Sequence, residues 1–129
     1  MNEPFKFNPE GELIYVKATL VGPKKEFTLR LALDTGASLT TLNTFALVMA
    51  GYDPATSPHR VELTTGSGLE YVPYLRIGKI TALGQTREDF PVIAHTLPPS
   101  ATVDGLLGLD FFRDRQLTID FRKGLLCLD

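Results

Sequence analysis

The chemistry this sequence can carry is concentrated at Asp34. An acidic residue stands there at the end of an apolar alternating run, with Phe27, Leu29, Leu31 and Leu33 on one parity and Thr28, Arg30 and Ala32 on the other. The small residues Thr35, Gly36, Ala37 and Ser38 follow at once. A carboxylate delivered from a core strand into a tight turn must be hydrogen-bonded or paired, because an unpartnered charge taken out of water is costly. Gly36 reaches backbone conformations closed to other residues, and Thr35 adds a hydroxyl. Two carboxyls held about 3 Å apart cannot both ionise, so such a pair shares one proton and offers a base to activate water and an acid to protonate an intermediate.

Other reactive side chains fit no such scheme. Cys127 sits among Leu125, Leu126 and Leu128 and reads as a buried strand cysteine; as the single cysteine it has no disulfide partner within the chain. His59 and His95 lack the spacing of a zinc-binding helix, so neither a metal nor a cofactor is expected. No serine stands in a nucleophile-elbow pattern. Gly66-Ser67-Gly68 is a hairpin turn and not a dinucleotide fingerprint, since Tyr71 occupies the place of the third glycine. Asp53, Asp104, Asp114 and Asp120 read as turn or solvent-facing carboxylates.

The elements that must position Asp34 are mostly strands. With 129 residues, 43% of them hydrophobic, the chain makes one domain with a real core. A formal net charge of −2 supplies no basic stripe for nucleic acid and no polybasic segment for a membrane surface. No apolar run approaches the roughly 20 residues of a membrane span, and the first ten residues lack the apolar centre of a signal peptide, so a soluble cytoplasmic chain is expected. Residues 1–12 read as an extended lead-in and 13–129 as the domain. Leu13 to Val21 and Glu26 to Leu33 form a hairpin around Gly22-Pro23-Lys24-Lys25. Asn43 is placed to cap a short helix that ends before Gly51, and Tyr52 to His59 is loop. Arg60 to Ile77 makes two strands around Gly66-Ser67-Gly68. Pro73 places the second of them at an edge or at a position donating no ladder bond. Lys79 to Leu83 and Phe90 to His95 pair across a Gly84-Gln85 turn. Val103 to Leu107 re-enters the core, Gly108 opens a short helix, and Leu117 to Phe121 and Leu125 to Leu128 close the chain.

Asp34-Thr35-Gly36-Ala37-Ser38 after an apolar strand resembles the active-site loop of the aspartic proteases, and a small chain with one such loop resembles their retropepsin branch. Leu106-Leu107-Gly108 supplies the family's second motif, two apolar residues then glycine, at the expected distance. Thr64-Thr65-Gly66-Ser67-Gly68 lies between the two, where the family has its flap. The resemblance covers about residues 13 to 128, and its specificity comes from order and spacing. A faint internal echo accompanies it: Ala18-Thr19-Leu20-Val21-Gly22 leading to the Asp34 strand is repeated as Thr81-Ala82-Leu83-Gly84 leading to Asp104-Gly105-Leu106-Leu107-Gly108.

The resemblance implies a closed retropepsin-like β-barrel, one lobe per chain, and a homodimer in which Asp34 of each copy meets its mate at the two-fold axis. It implies an aspartic endopeptidase acting on an extended peptide or polyprotein substrate. Asp34, Thr35 and Gly36 are then the catalytic loop. Ala37, Ser38 and the flap residues Thr64, Thr65, Gly66, Ser67 and Gly68 contact substrate, and Leu106, Leu107 and Gly108 support the loop. The sequence departs from the retroviral pattern at Ser38 and Leu109, where an acidic residue and an arginine would pair. Both partners are absent together. That departure leaves an alternative open, a catalytically inactive module using the same fold for dimerisation or peptide capture.

Overall fold

Strand β1 (Phe5–Lys6) opens the computed structural model, which describes residues 3–129; Met1 and Asn2 of the lead-in lie outside the described residues. The segment read as a lead-in is stitched into the fold. Phe5 pairs with Leu126, the Phe7 amide donates to the Gly124 carbonyl at 2.9 Å, and the Phe7 ring meets Phe121 edge-on at 5.7 Å.

Strands β2 (Tyr15–Val21) and β3 (Glu26–Leu33) form the expected hairpin, in register from Tyr15 opposite Ala32 to Val21 opposite Glu26. Val16, Ala18 and Leu20 turn inward against Leu29 and Leu31, and all five are buried. The strand starts two residues after Leu13, which is exposed. Strand β4 (Thr41–Asn43) leads into α1 (Thr44–Ala50). The Asn43 side chain caps that helix by accepting the Phe45 amide at 3.3 Å, and Gly51 ends it at φ 105°. The loop beyond holds a single 3₁₀ turn, Pro54–Thr56.

Strand β5 (Arg60–Thr65) pairs with the first part of β6 (Gly68–Ala82), and β6 turns back into β7 (Gln85–His95). Two strands were expected where the 15-residue β6 runs without a break. The break was expected at Gly78, whereas the change of partner falls after Pro73. β6 pairs with β5 as far as Pro73, with β7 from Tyr74, and also with β2 from Lys79 to Ala82. The Tyr74 amide donates to the His59 carbonyl at 3.0 Å, so the adjoining Arg60–Pro73 pair is a non-hydrogen-bonded one and needs no proline N–H. The Gly78 amide leaves the ladder for the Tyr52 hydroxyl at 2.7 Å, and that hydroxyl donates to the Val21 carbonyl at 3.0 Å. The β6–β7 turn is Leu83-Gly84, one residue earlier than expected, both at positive φ. Leu83 accepts that conformation while its side chain is buried in the core.

Strand β8 (Gly105–Leu107) lies parallel to β3 and antiparallel to β4, and β4 lies parallel to β7. The order β2-β3-β8-β4-β7-β6 closes through the β2–β6 pairing into a six-stranded barrel. β5 and the start of β6 project from it as a hairpin. After α2 (Leu109–Phe112), β9 (Leu117–Asp120) and β10 (Leu125–Leu128) form a second, three-stranded sheet in the order β1-β10-β9. Leu126 and Leu128 are buried while Cys127 is half-buried; the alternation places the cysteine on the less covered face and not in the core as expected. Among the described residues no helix is long and apolar enough to cross a membrane.

Candidate functional site

Asp34 stands one residue past the end of β3. Its amide extends the parallel ladder by one bond, donating to the Leu107 carbonyl at 3.0 Å. The chain then turns back. The Ala37 amide donates to the Asp34 carbonyl at 3.2 Å, and the Gly36 amide donates to Asp34 Oδ1 at 2.9 Å. A carboxylate oxygen is thus held by the backbone of its own loop. A side chain at position 36 would crowd it, since a Cβ there falls 3.1 Å from Asp34 Oδ1. Asp34 is half-buried, while Thr35 and Gly36 face solvent. Among the described residues no group of this chain hydrogen-bonds the Thr35 hydroxyl.

The Leu106-Leu107-Gly108 segment passes against this loop. The Leu109 amide donates to the Ala37 carbonyl at 2.8 Å, and a Cβ on Gly108 would fall 2.8 Å from that same oxygen. Contact this close between two backbones requires glycine. Gly108 donates to Thr40 Oγ1 at 3.1 Å, and Thr40 Oγ1 in turn donates to Asp110 Oδ1 at 2.7 Å. The Asp110 carboxylate also receives the Thr40 amide at 3.0 and 2.9 Å. Thr40 is fully buried, and neither it nor Asp110 stands among the candidate site residues read from the sequence. The signal for Thr40 was weak, because a threonine after an active-site loop has nothing local to distinguish it.

The substrate-contact residues expected on the loop, Ala37 and Ser38, sit beside Asp34, with Ser38 exposed. Thr64 to Gly68 form the tip of the β5–β6 hairpin. Gly66-Ser67 is its two-residue loop between the paired Thr65 and Gly68. Thr65 Oγ1 accepts the Ser67 amide at 3.3 Å and donates to the Gly68 carbonyl at 3.1 Å, so the tip is bonded to itself. Further down the hairpin, Glu70 faces His95 at the end of β7 at 3.8 Å. At the place where a charged brace was absent from the sequence, the backbone bond from Leu109 to Ala37 joins loop and helix instead. Asp104, read as a turn carboxylate, accepts the Arg30 amide at 2.9 Å and donates its own amide to the Arg30 carbonyl at 2.7 Å, which fastens β3 to the approach of β8.

Asp34 lines none of the three surface cavities of about 560, 370 and 370 Å³. The largest lies behind the base of the projecting hairpin, between His59, Tyr74 and Asp53. Among the described residues no cluster of three or more His, Cys, Asp or Glu side chains is arranged to hold a metal ion.

Comparison with known proteins places this geometry. A family model described as aspartyl protease matches residues 16–111, a span that holds the Asp34 loop, the hairpin and Leu106-Leu107-Gly108. No curated protein matches. Among solved structures, a retropepsin-like aspartic protease from Rickettsia conorii superposes with a TM-score of 0.67 at 19% identity, covering 98% of this chain and 88% of that one. The retroviral protease-like domain of Ddi1 from Leishmania major superposes with a TM-score of 0.59, also at 19% identity, over 93% of this chain and 90% of that one. Both share the fold described here.

Proposed function

The chain belongs to the aspartyl protease family, and from that premise we propose that it is a homodimeric aspartic endopeptidase whose dyad is Asp34 of one copy and Asp34 of the other. One observation carries the reading. The Asp34 carboxylate is anchored on one side by Gly36 N–H, while Thr35 and Gly36 lie open beside it on a single-lobed barrel. A lone carboxylate so placed is half of a catalytic device and invites an identical partner.

In the assembled site the two carboxyls share one proton. The ionised one removes a proton from a water molecule as its oxygen attacks the peptide carbonyl carbon, and the protonated one gives its proton to the carbonyl oxygen. Collapse of the resulting gem-diol breaks the C–N bond as the nitrogen takes up a proton, giving a carboxylic acid and an amine. Thr35 bonds across to the partner loop and fixes both carboxyls. Gly36 and Ala37 leave backbone and space for an extended peptide, Ser38 borders it, and the hairpin tip from Thr64 to Gly68 closes over it and excludes water. Leu106, Leu107 and Gly108 hold the loop from behind. The experiment is cleavage of a mixed peptide library as a function of protein concentration, beside the Asp34→Asn protein. Cleavage rising faster than linearly with concentration, and absent from the substituted protein, is the expected result. Linear dependence would remove the shared dyad.

Ser38 and Leu109 favour a second reading, an inactive dimerisation or peptide-capture module, because the retroviral charge pair that would tie loop and helix is absent. That reading requires a stable dimer in which wild-type and Asp34→Asn proteins are equally silent toward the library.

A further inference from the structure

Alternation along β3 gives Arg30 and Ala32 the same parity as Asp34, and the β2 residues opposite them are Lys17 and Tyr15. Lys17 and Arg30 are thus a directly opposed pair of like charges, an arrangement that destabilises a sheet by itself. The Arg30 guanidinium lies 3.7 Å over the Tyr15 ring, and the Tyr15 hydroxyl reaches Thr102 Oγ1 at 3.4 Å. A cavity of about 370 Å³ opens beside Tyr15 and Lys17, where Phe5 and Leu126 supply apolar surface and Lys6 a third cation. All three cations are exposed. Among the described residues the ion pairs are Arg76–Asp89 and His95–Glu70, and neither involves Lys6, Lys17 or Arg30. The Asp104 carboxylate accepts the Arg30 amide through Oδ2 at 2.9 Å and keeps its own negative charge. Lys6 and Lys17 line this cavity and Arg30 stacks on its Tyr15, so in a chain of net charge −2 these cations, none of them in an ion pair among the described residues, form a surface complementary to an anion.

We propose that Lys6, Lys17 and Arg30 form an anion-binding subsite that takes an acidic residue of the substrate peptide, with a neighbouring large apolar side chain of the peptide entering the cavity beside Tyr15. The proposal rests on the protease reading above. Arg30 lies four residues before Asp34, roughly 13 Å along a strand at about 3.3 Å per residue, so the acidic residue sits three to five positions from the scissile bond. The cations select substrate and the dyad cuts it.

The test uses two labelled ten-residue peptides of extended sequence, one with Glu beside Phe and one with Gln in place of that Glu, scanned through positions three to five on either side of the scissile bond. Fluorescence anisotropy on the Asp34→Asn protein measures binding without turnover, and the wild-type protein measures cleavage of both. The acidic peptide is expected to bind about tenfold more tightly than its Gln counterpart. The preference should vanish in about 0.5 M salt, where charges are screened within a few Å. It should vanish also in Lys17→Glu. That substitution places opposite charges across the sheet, so its unfolding temperature should hold or rise, and a merely structural role for Lys17 predicts the reverse. Equal affinity for the two peptides, or a preference that survives Lys17→Glu, overturns the subsite. Cleavage without charge preference overturns it while leaving the protease intact, and absence of both binding and cleavage at every concentration overturns both. Binding to vesicles of anionic lipid that is lost in Lys17→Glu, with no peptide preference, would reassign the patch to a membrane surface and overturn the proposal.

Discussion

The carboxylate of Asp110 takes both the amide and the hydroxyl of Thr40, 70 residues away in sequence, at 2.9–3.0 and 2.7 Å. The same hydroxyl oxygen receives Gly108 N–H, so one buried threonine joins the far end of the Asp34 loop, the Leu106-Leu107-Gly108 strand and the start of α2. Asp110→Ala leaves the amide and hydroxyl of the buried Thr40 without their acceptor. Each unsatisfied group costs about 1–3 kcal/mol. Urea unfolding should therefore show a loss of about 2–4 kcal/mol for Asp110→Ala. Thr40→Val, which orphans Gly108 N–H and leaves the Asp110 carboxylate only the amide of residue 40, should lose a similar amount, and the two changes together much less than the sum.

Gly108 and Gly66 make opposite predictions. A Cβ on Gly108 would lie 2.8 Å from the Ala37 carbonyl oxygen, a backbone atom with nowhere to go, whereas nothing lies within 4 Å of a Cβ on Gly66. Gly108→Ala should push the Asp34 loop off the strand behind it, costing about 2 kcal/mol or more of stability and abolishing cleavage. Gly66→Ala should leave the unfolding free energy within about 0.5 kcal/mol of wild type. A thermal melt of the two proteins beside the parent separates them in one experiment.

Tyr52 predicts a smaller effect of a different kind. Its hydroxyl ties the loop after α1 to two strands at once, accepting Gly78 N–H and donating to the Val21 carbonyl. Tyr52→Phe keeps the ring packed and removes both bonds. Since Gly78 is exposed and water can replace the lost acceptor, the cost should be about 1 kcal/mol. Hydrogen exchange should quicken at Gly78 more than at Ile77 or Ile80, which lie in the core.

The unequal legibility of these features in the sequence has a physical cause. Asp34 was readable because strand period, turn chemistry and small residues are all local, and Leu106-Leu107-Gly108 because an apolar pair before glycine is local too. The hairpin register of β2 and β3 and the cap at Asn43 follow from the same short-range rules. The Thr40–Asp110 clamp was not readable, since nothing near either residue encodes the other. β6 was divided because Gly78 normally ends a strand, and only the barrel reveals that its amide leaves the ladder for the Tyr52 hydroxyl within a continuous strand. Residues 1–12 were read as a lead-in, though the Phe5 backbone pairs with Leu126 and the Phe7 ring meets Phe121 at the far end of the chain.

Thr35 offers the sharpest discrimination between a fold and a working dimer. Its hydroxyl faces solvent next to Asp34, and no group of its own chain bonds it among the described residues. In the proposed dimer each Thr35 donates across the axis, so two bonds are made per assembly and none per isolated chain. Thr35→Ala should therefore leave the monomer's unfolding free energy within about 0.5 kcal/mol of wild type, because an exposed hydroxyl contributes little. The same change should weaken the dimer by about 1–3 kcal/mol, from two bonds worth about 0.5–1.5 kcal/mol each, which is roughly a tenfold to hundredfold rise in dissociation constant. Sedimentation across a concentration series reads that shift directly, and Thr35→Ser, which keeps the hydroxyl, should restore most of it. Cleavage by the alanine protein should recover at higher protein concentration, since both carboxyls remain. An unchanged dissociation constant would mean that Thr35 does not cross the axis, and the shared-loop geometry would have to be given up.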